Sequence, residues 1–216
     1  MRAGGRAAGD FANPAAPGCD RARRSLADVP WTWLRQVHGA RAMVVARPGD
    51  GRGEEADAAV TSCAGAGLAV LTADCAPLCF SSPEGVVGVA HAGWRGLMAG
   101  VVEAAVTAMR QLGAERVFAA LGPCIFPHAY RFSAVDIQGV VDRFGPRARS
   151  TDAEGYPALD LPAAVGVALE RAGAGLAADA QTCTHCSGAH WSWRARGDTS
   201  RQATVVWRRV PGGGPG

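Results

Sequence analysis

The chain has 216 residues, 48% apolar and 19% charged, which fits a folded protein with one well-buried core and excludes a disordered one. A net charge of +3, small and dispersed, argues against a nucleic-acid partner. No apolar run reaches the length of a membrane span, residues 1–10 lack the apolar segment of a secretion signal, and seven cysteines, an odd number, point to reduced thiols in the cytoplasm.

Residues 1–30 are rich in Gly, Ala, Pro and Arg and are expected to form loop with a short helix near 20–27. Residues 31–37 and 41–46 read as strands joined by a turn at Gly39, and the glycine-rich stretch 48–53 as a loop without dinucleotide-binding order. Short apolar runs bounded by turn residues predict buried strands over 58–61, 67–72, 78–81 and 86–90. Apolar residues at helical spacing predict one helix over 97–112, ended by Gly113, and 117–121 reads as the next strand. Ser133 with Asp136 is a capping box for a helix reaching Phe144, and Asp160 with Pro162 opens another that finishes near 172–173. Residues 191–194 and 203–208 are expected to be closing strands, and 211–216 a flexible tail. With no internal repeat and no linker, the expectation is one α+β domain over 1–210.

Three short pieces carry metal-type donors: Gln36-Val37-His38, Ala73-Asp74-Cys75, and the run from Ala90 and His91 to Arg95 and Gly96. Two imidazoles and a thiolate suit zinc or copper and leave one coordination position open. Taken singly, each donor is weak: a lone histidine is more often structural, and a lone cysteine is a small core residue. His91 opens a glycine-rich turn into a helix, where Arg95 and backbone N–H groups can hold an anion; the plainer reading is a tight turn with Arg95 paired to a surface carboxylate. Arg194, Arg196 and Arg201 cluster around the turn at Gly197-Asp198, either as a solvated basic turn or as an anion-binding edge. Cys183-Thr184-His185-Cys186 offers a redox pair or half of a structural zinc site, yet no helix follows it and no second knuckle is visible.

These pieces resemble the laccase-domain family, once described as multicopper polyphenol oxidases and associated with purine nucleoside phosphorylase and adenosine deaminase activity. The matching residues are Gln36 to Gly39, Ala56-Asp57-Ala58 with Thr61, Thr72 to Pro77, Gly88 to Gly96 and Leu121 to Ile125, extended by Asp160-Leu161, Cys183-Thr184, Ser192-Trp193-Arg194 and Arg201-Gln202. The resemblance spans nearly the whole chain and is most specific from Asp74 to Gly96. It implies mixed β-sheets covered by helices in a layered α/β/β/α arrangement, and a metal-binding, catalytic set of His38, Cys75 and His91, holding zinc with copper as the alternative. Asp74 is the nearest candidate proton shuttle, its simpler role being to fix the turn or a ligand's orientation, and Gln36, Arg95, Arg194 and Arg201 are the expected substrate-binding side chains. The implied reaction is phosphorolysis of adenosine, inosine and guanosine, extending to methylthioadenosine, with adenosine deamination as a side activity. The implied partners are purine nucleosides and phosphate, without nucleic acid or membrane, for a monomer or small homo-oligomer.

Departures from the family pattern fall around the expected pocket. The opening strand is largely missing, with Arg2-Ala3-Gly4-Gly5 already in the place of the Arg-x-Gly-Gly turn, and residues 11–28 are compressed. Phe126 stands where glycine is usual, Tyr130-Arg131-Phe132 where Tyr-Glu-Val is, and Ser200 replaces a glycine. The rival activities are copper-dependent phenol oxidation, for which five histidines are few, and editing of peptidoglycan precursors with Cys75 as nucleophile. A zinc-stabilised binding protein without turnover is the non-enzymatic alternative.

Overall fold

The computed structural model describes residues 1–210, and the tail expected over 211–216 lies outside them. In chain order the strands are β1 (Arg2–Ala3), β2 (Trp31–Trp33), β3 (Ala42–Val44), β4 (Ala58–Thr61), β5 (Gly67–Thr72), β6 (Ala76–Ser81), β7 (Val87–Ala92), β8 (Val117–Leu121), β9 (Arg149–Thr151), β10 (Pro157–Leu159), β11 (Ala174–Asp179) and β12 (Gln202–Trp207). The helices are α1 (Cys19–Leu26), α2 (Trp94–Ala99), α3 (Val101–Gln111), α4 (Ala134–Phe144), α5 (Leu161–Ala172) and α6 (Trp193–Arg196). A six-stranded mixed sheet runs β11-β8-β6-β7-β4-β3, a four-stranded one β1-β12-β5-β2, and β9 and β10 form a small hairpin.

Side-chain alternation sorts the core into layers. Ala58 and Val60 of β4, with Leu78 and Phe80 of β6, pack on Val102, Ala105, Val106 and Met109 of α3 and on Val165 and Ala168 of α5. The opposite face, with Ala59, Cys79 and Val89, meets Leu68, Val70 and Val206 of the four-stranded sheet. That sheet's outer face places Ala69, Ala203 and Val205 with Trp31, Phe11 and Leu26, the last at the end of α1. The order is therefore helices, six-stranded sheet, four-stranded sheet, α1, an α+β arrangement of α/β/β/α layers. Because the central strands are covered on both faces, they are apolar almost throughout.

Capping sets several boundaries where local chemistry predicts them. The Ser133 hydroxyl accepts from Asp136 N–H, and the Asp160 side chain accepts from Ala163 N–H. Three expectations need correction, and one strand carried no signal in the sequence. The two strands over 31–37 and 41–46 are shorter and belong to different sheets: β2 runs parallel to β5, and β3 parallel to β4. The single helix over 97–112 is two, because Gly100 adopts φ +95° and ends α2 before α3 begins. Residues 191–194 form no strand. Gln202 Oε1 accepts the Trp191 N–H at 2.7 Å, and Ser192 then caps the short α6 through Ala195 N–H. Finally, β11 was not visible in the pattern: it is a mostly exposed Ala/Gly edge strand whose register with β8 shifts between Leu176 and Ala178.

Candidate metal centre and its cleft

Sheet register brings the donors together. In the β6–β7 pair Pro77 faces His91 and Ala76 faces Ala92, so Cys75, one residue before β6, stands at the end of the strand that carries His91. In the β4–β7 pair Ala58 faces Ala90, which sets Asp57 beside His91, whose backbone N–H donates to the Asp57 carbonyl at 2.7 Å. Three adjacent strands thus end at one place.

Asp57 recruits the third donor. Its carboxylate is fully buried and accepts N–H bonds from Val37 at 3.1 Å, His38 at 3.0 Å and Gly39 at 2.8 Å. Three successive N–H groups aimed at one carboxylate form an anion nest. The turn holds His38 at φ +60°, a left-handed backbone conformation that few non-glycine residues adopt. Asp57 Oδ1 also lies 2.8 Å from His91 Nδ1. A carboxylate only accepts, so Nδ1 carries a proton and Nε2 is the nitrogen offered to an ion.

His38 Nε2 lies 3.8 Å from Cys75 Sγ, and one donor atom from each of His38, Cys75 and His91 lies within 4.8 Å of the others. Burial opposes ionisation of Cys75, but the His91 charge and the His38 hydrogen bond outweigh it and bring the thiol down to about 6. Cys79, buried on the inter-sheet face of β6, is pushed by burial up to about 12. Burial likewise opposes charge on His91, yet Cys75 and Asp57 raise it to about 9. The Asp57 carboxyl, against its own burial, is held below the usual range by His91 and the N–H groups of Gly39 and Val37. Without an ion the pair is thus a Cys75 thiolate beside a charged His91; the thiolate is the form a transition metal takes, and an ion binding at His91 Nε2 displaces the proton there.

Asp74 has φ +101° and is buried. Its Oδ1 accepts from the Thr184 hydroxyl at 2.7 Å and its Oδ2 from Arg194 N–H at 2.7 Å. Both oxygens are therefore engaged in holding two distant segments against the turn that presents Cys75. Two of the three described non-glycine residues with positive φ, His38 and Asp74, lie at this site.

The donors lie in a cleft of about 640 Å³ lined by Trp94, Arg95, Tyr130, Trp193, Arg194 and Arg201, among others. The Arg95 guanidinium sits over the Trp94 ring at 4.4 Å and that of Arg194 over Tyr130 at 5.3 Å. Among the described residues neither guanidinium has a carboxylate within ion-pair distance. Arg201 differs, since its Nη1 donates to the carbonyls of Asp198, Thr199 and Ser200. Arg196 pairs with Asp198. Gln36 reaches the cleft, but its amide is tied at both ends to Leu71, donating to the carbonyl at 2.7 Å and accepting the N–H at 2.8 Å.

All the expected site residues, His38, Cys75, His91, Asp74, Gln36, Arg95, Arg194 and Arg201, line this one cleft. The positioning roles of Asp57 and Thr184 and the aromatic walls from Tyr130 and Trp193 were not read from the sequence. Asp57, Thr184 and Trp193 nonetheless fall within the family-like motifs, and Tyr130 among the departures around the expected pocket.

These features define an α+β protein whose cleft is built around a His/Cys/His donor set. Residues 8–209 match the family described as multi-copper polyphenol oxidoreductase laccase, and the chain belongs to that family. A purine nucleoside phosphorylase of Streptomyces coelicolor is 43% identical over 179 residues, covering 81% of this chain and 74% of that protein. A purine nucleoside phosphorylase of Streptomyces griseus is 40% identical over 215 residues, covering 94% and 85%. The crystal structure of YlmD from Geobacillus stearothermophilus superposes with a TM-score of 0.77 at 30% identity, covering 89% of this chain and 80% of that one. Among the described residues no helix is long and apolar enough to cross a membrane.

Proposed function

We propose that the cleft is the active site of a zinc-dependent purine nucleoside phosphorylase. Adenosine, inosine or guanosine would be cleaved by phosphate to the free base and ribose 1-phosphate. The observation that carries this reading is the meeting of His38, Cys75 and His91 in a cleft whose Arg95 and Arg194 lack carboxylate partners among the described residues. The names of the Streptomyces relatives support the same activity.

The residues fit a metal. Two imidazoles and a thiolate are borderline-soft donors suited to zinc or copper, and Asp57 fixes the orientation of His91 in the way metal-bound histidines require. Gly93 leaves the room, since a Cβ there would stand 2.9 Å from Cys75 Sγ and 2.9 Å from His38 Cδ2. Zinc held by His38, Cys75 and His91 would supply Lewis-acid polarisation of a substrate atom.

In phosphorolysis, phosphate attacks C1′ of the ribose while the bond to the purine nitrogen breaks, through a transition state of oxocarbenium character. Arg95 and Arg194 hold the phosphate by charge-assisted hydrogen bonds and bring it to that carbon, so the attack becomes effectively intramolecular. Their seats over the Trp94 and Tyr130 rings restrain both guanidinium groups in advance. Trp193, 59% exposed, offers a ring face to a flat base. Asp74 acts as a positioning residue that sets the Cys75 turn against Arg194. Arg201 and Gln36 shape the cleft wall.

The family's description favours copper-dependent phenol oxidation as a second reading. Four-electron dioxygen chemistry needs several coppers, and five histidines in the whole chain are too few to ligate them. The test is incubation of the zinc-loaded protein with adenosine, inosine and guanosine, with and without phosphate. Free base released only with phosphate supports phosphorolysis. Inosine and ammonia formed from adenosine without phosphate identify deamination as a side activity. Copper-dependent phenol oxidation exceeding nucleoside turnover would overturn the proposal.

A further inference from the structure

We infer that His128, Cys183 and Cys186 form a second metal site, a zinc clamp outside the cleft on the segments that support its wall. The C-x-x-C run by itself supplies half of a zinc site. The fold supplies the missing imidazole: His128, on the short 3-10 turn Pro127–Ala129, places Nε2 3.0 Å from Cys186 Sγ. One donor atom from each of the three residues lies within 4.8 Å of the others. Zinc–sulfur bonds of about 2.3 Å and zinc–nitrogen bonds of about 2.0–2.1 Å put tetrahedral donors roughly 3.3–3.8 Å apart, so small side-chain adjustments close the site. His185 Nδ1, 3.9 Å from Cys186 Sγ, stands in reach as a fourth ligand.

Two thiolates with one or two imidazoles select zinc over hard cations such as magnesium or calcium. The site's place in the backbone gives it a purpose. Cys183 pairs with Cys124 in an isolated parallel bridge, through Cys124 N–H to Thr182 O at 3.2 Å and Thr184 N–H to Cys124 O at 3.0 Å. An ion held by His128 and the two cysteines ties the same two segments together a few residues further on. Between those cysteines lies Thr184, whose buried hydroxyl holds Asp74. Two residues after His128 lies Tyr130, against which Arg194 rests. The clamp therefore braces the wall that presents Arg194 and, through Thr184 and Asp74, the turn that presents Cys75.

The test uses the full chain purified with a thiol reductant and no chelator, loaded with zinc and desalted. Metal analysis should find two ions per chain in the wild type and one fewer in Cys186→Ser, a change at an exposed position that leaves the core untouched. Cobalt replacing zinc gives a second readout: the thiolate-to-cobalt charge-transfer band should persist in His91→Ala and weaken in Cys186→Ser and in His128→Ala. An equal metal content in the wild type and Cys186→Ser, with circular dichroism showing both folded, would overturn the inference. So would a Cys183–Cys186 disulfide found by peptide mapping of the zinc-loaded protein.

Discussion

The His38/Cys75/His91 group and the His128/Cys183/Cys186 group use the same donor chemistry on different supports. In the first, His91 is buried in a sheet strand, oriented by the buried Asp57, and the whole group opens into the cleft. In the second, His128 and Cys186 are exposed, both lie on turns, and no carboxylate stands behind the histidine among the described residues. Support of the first kind fixes a ligand against substrate; that of the second lets the ion itself tie two segments. Rigid elements with hydrogen-bonded ligands favour precise presentation, whereas ligands on loops favour cross-linking.

The contrast predicts a graded set of effects. Cys75→Ala and His91→Ala should each abolish metal binding at the first site and reduce phosphorolysis to background, as read by metal analysis and base release. Asp57→Asn should weaken metal affinity or turnover about 10–100-fold, since the amide cannot accept from His91 and three N–H groups at once. A metal titration that leaves this variant like the wild type would remove the reason for treating the first site as specially supported. Arg95→Met and Arg194→Met should each raise KM for phosphate about 10–100-fold, the worth of a hydrogen bond to a charged group, with less change for the nucleoside. His128→Ala should alter turnover least. Its mark should be a melting temperature of the zinc-loaded protein lower by about 5–10 °C, the loss of about 2.7 kcal/mol of linkage at ligand 100-fold above Kd.

Local chemistry made much of this legible. The buried strands and the capped helices α4 and α5 carry their signal within a few residues, whereas the donors His38, Cys75 and His91, weak singly, stood out through the family-like motifs around them. What stayed hidden depends on partners far along the chain. Asp57 falls in the Ala56-Asp57-Ala58 match, but its hold on His91 shows only once the β4–β7 register sets the two side by side. Cys183 and Cys186 read as half a site until the Cys124–Cys183 bridge brings His128 alongside. The Trp-rich run at 191–194 looked like a strand because apolar content outweighed the Ser192 cap. The expected hairpin over 31–46 failed because its two strands join different sheets, a choice made by packing across the whole molecule.

The central claim, a metal-dependent cleft for phosphorolysis, is most directly tested by one measurement on inosine. Hypoxanthine release by the zinc-loaded protein is followed as phosphate is titrated, with Cys75→Ala in parallel. The account predicts release that saturates with phosphate, yields ribose 1-phosphate in equal amount and vanishes in the variant. Release independent of phosphate, or undiminished in a folded Cys75→Ala protein, would contradict it.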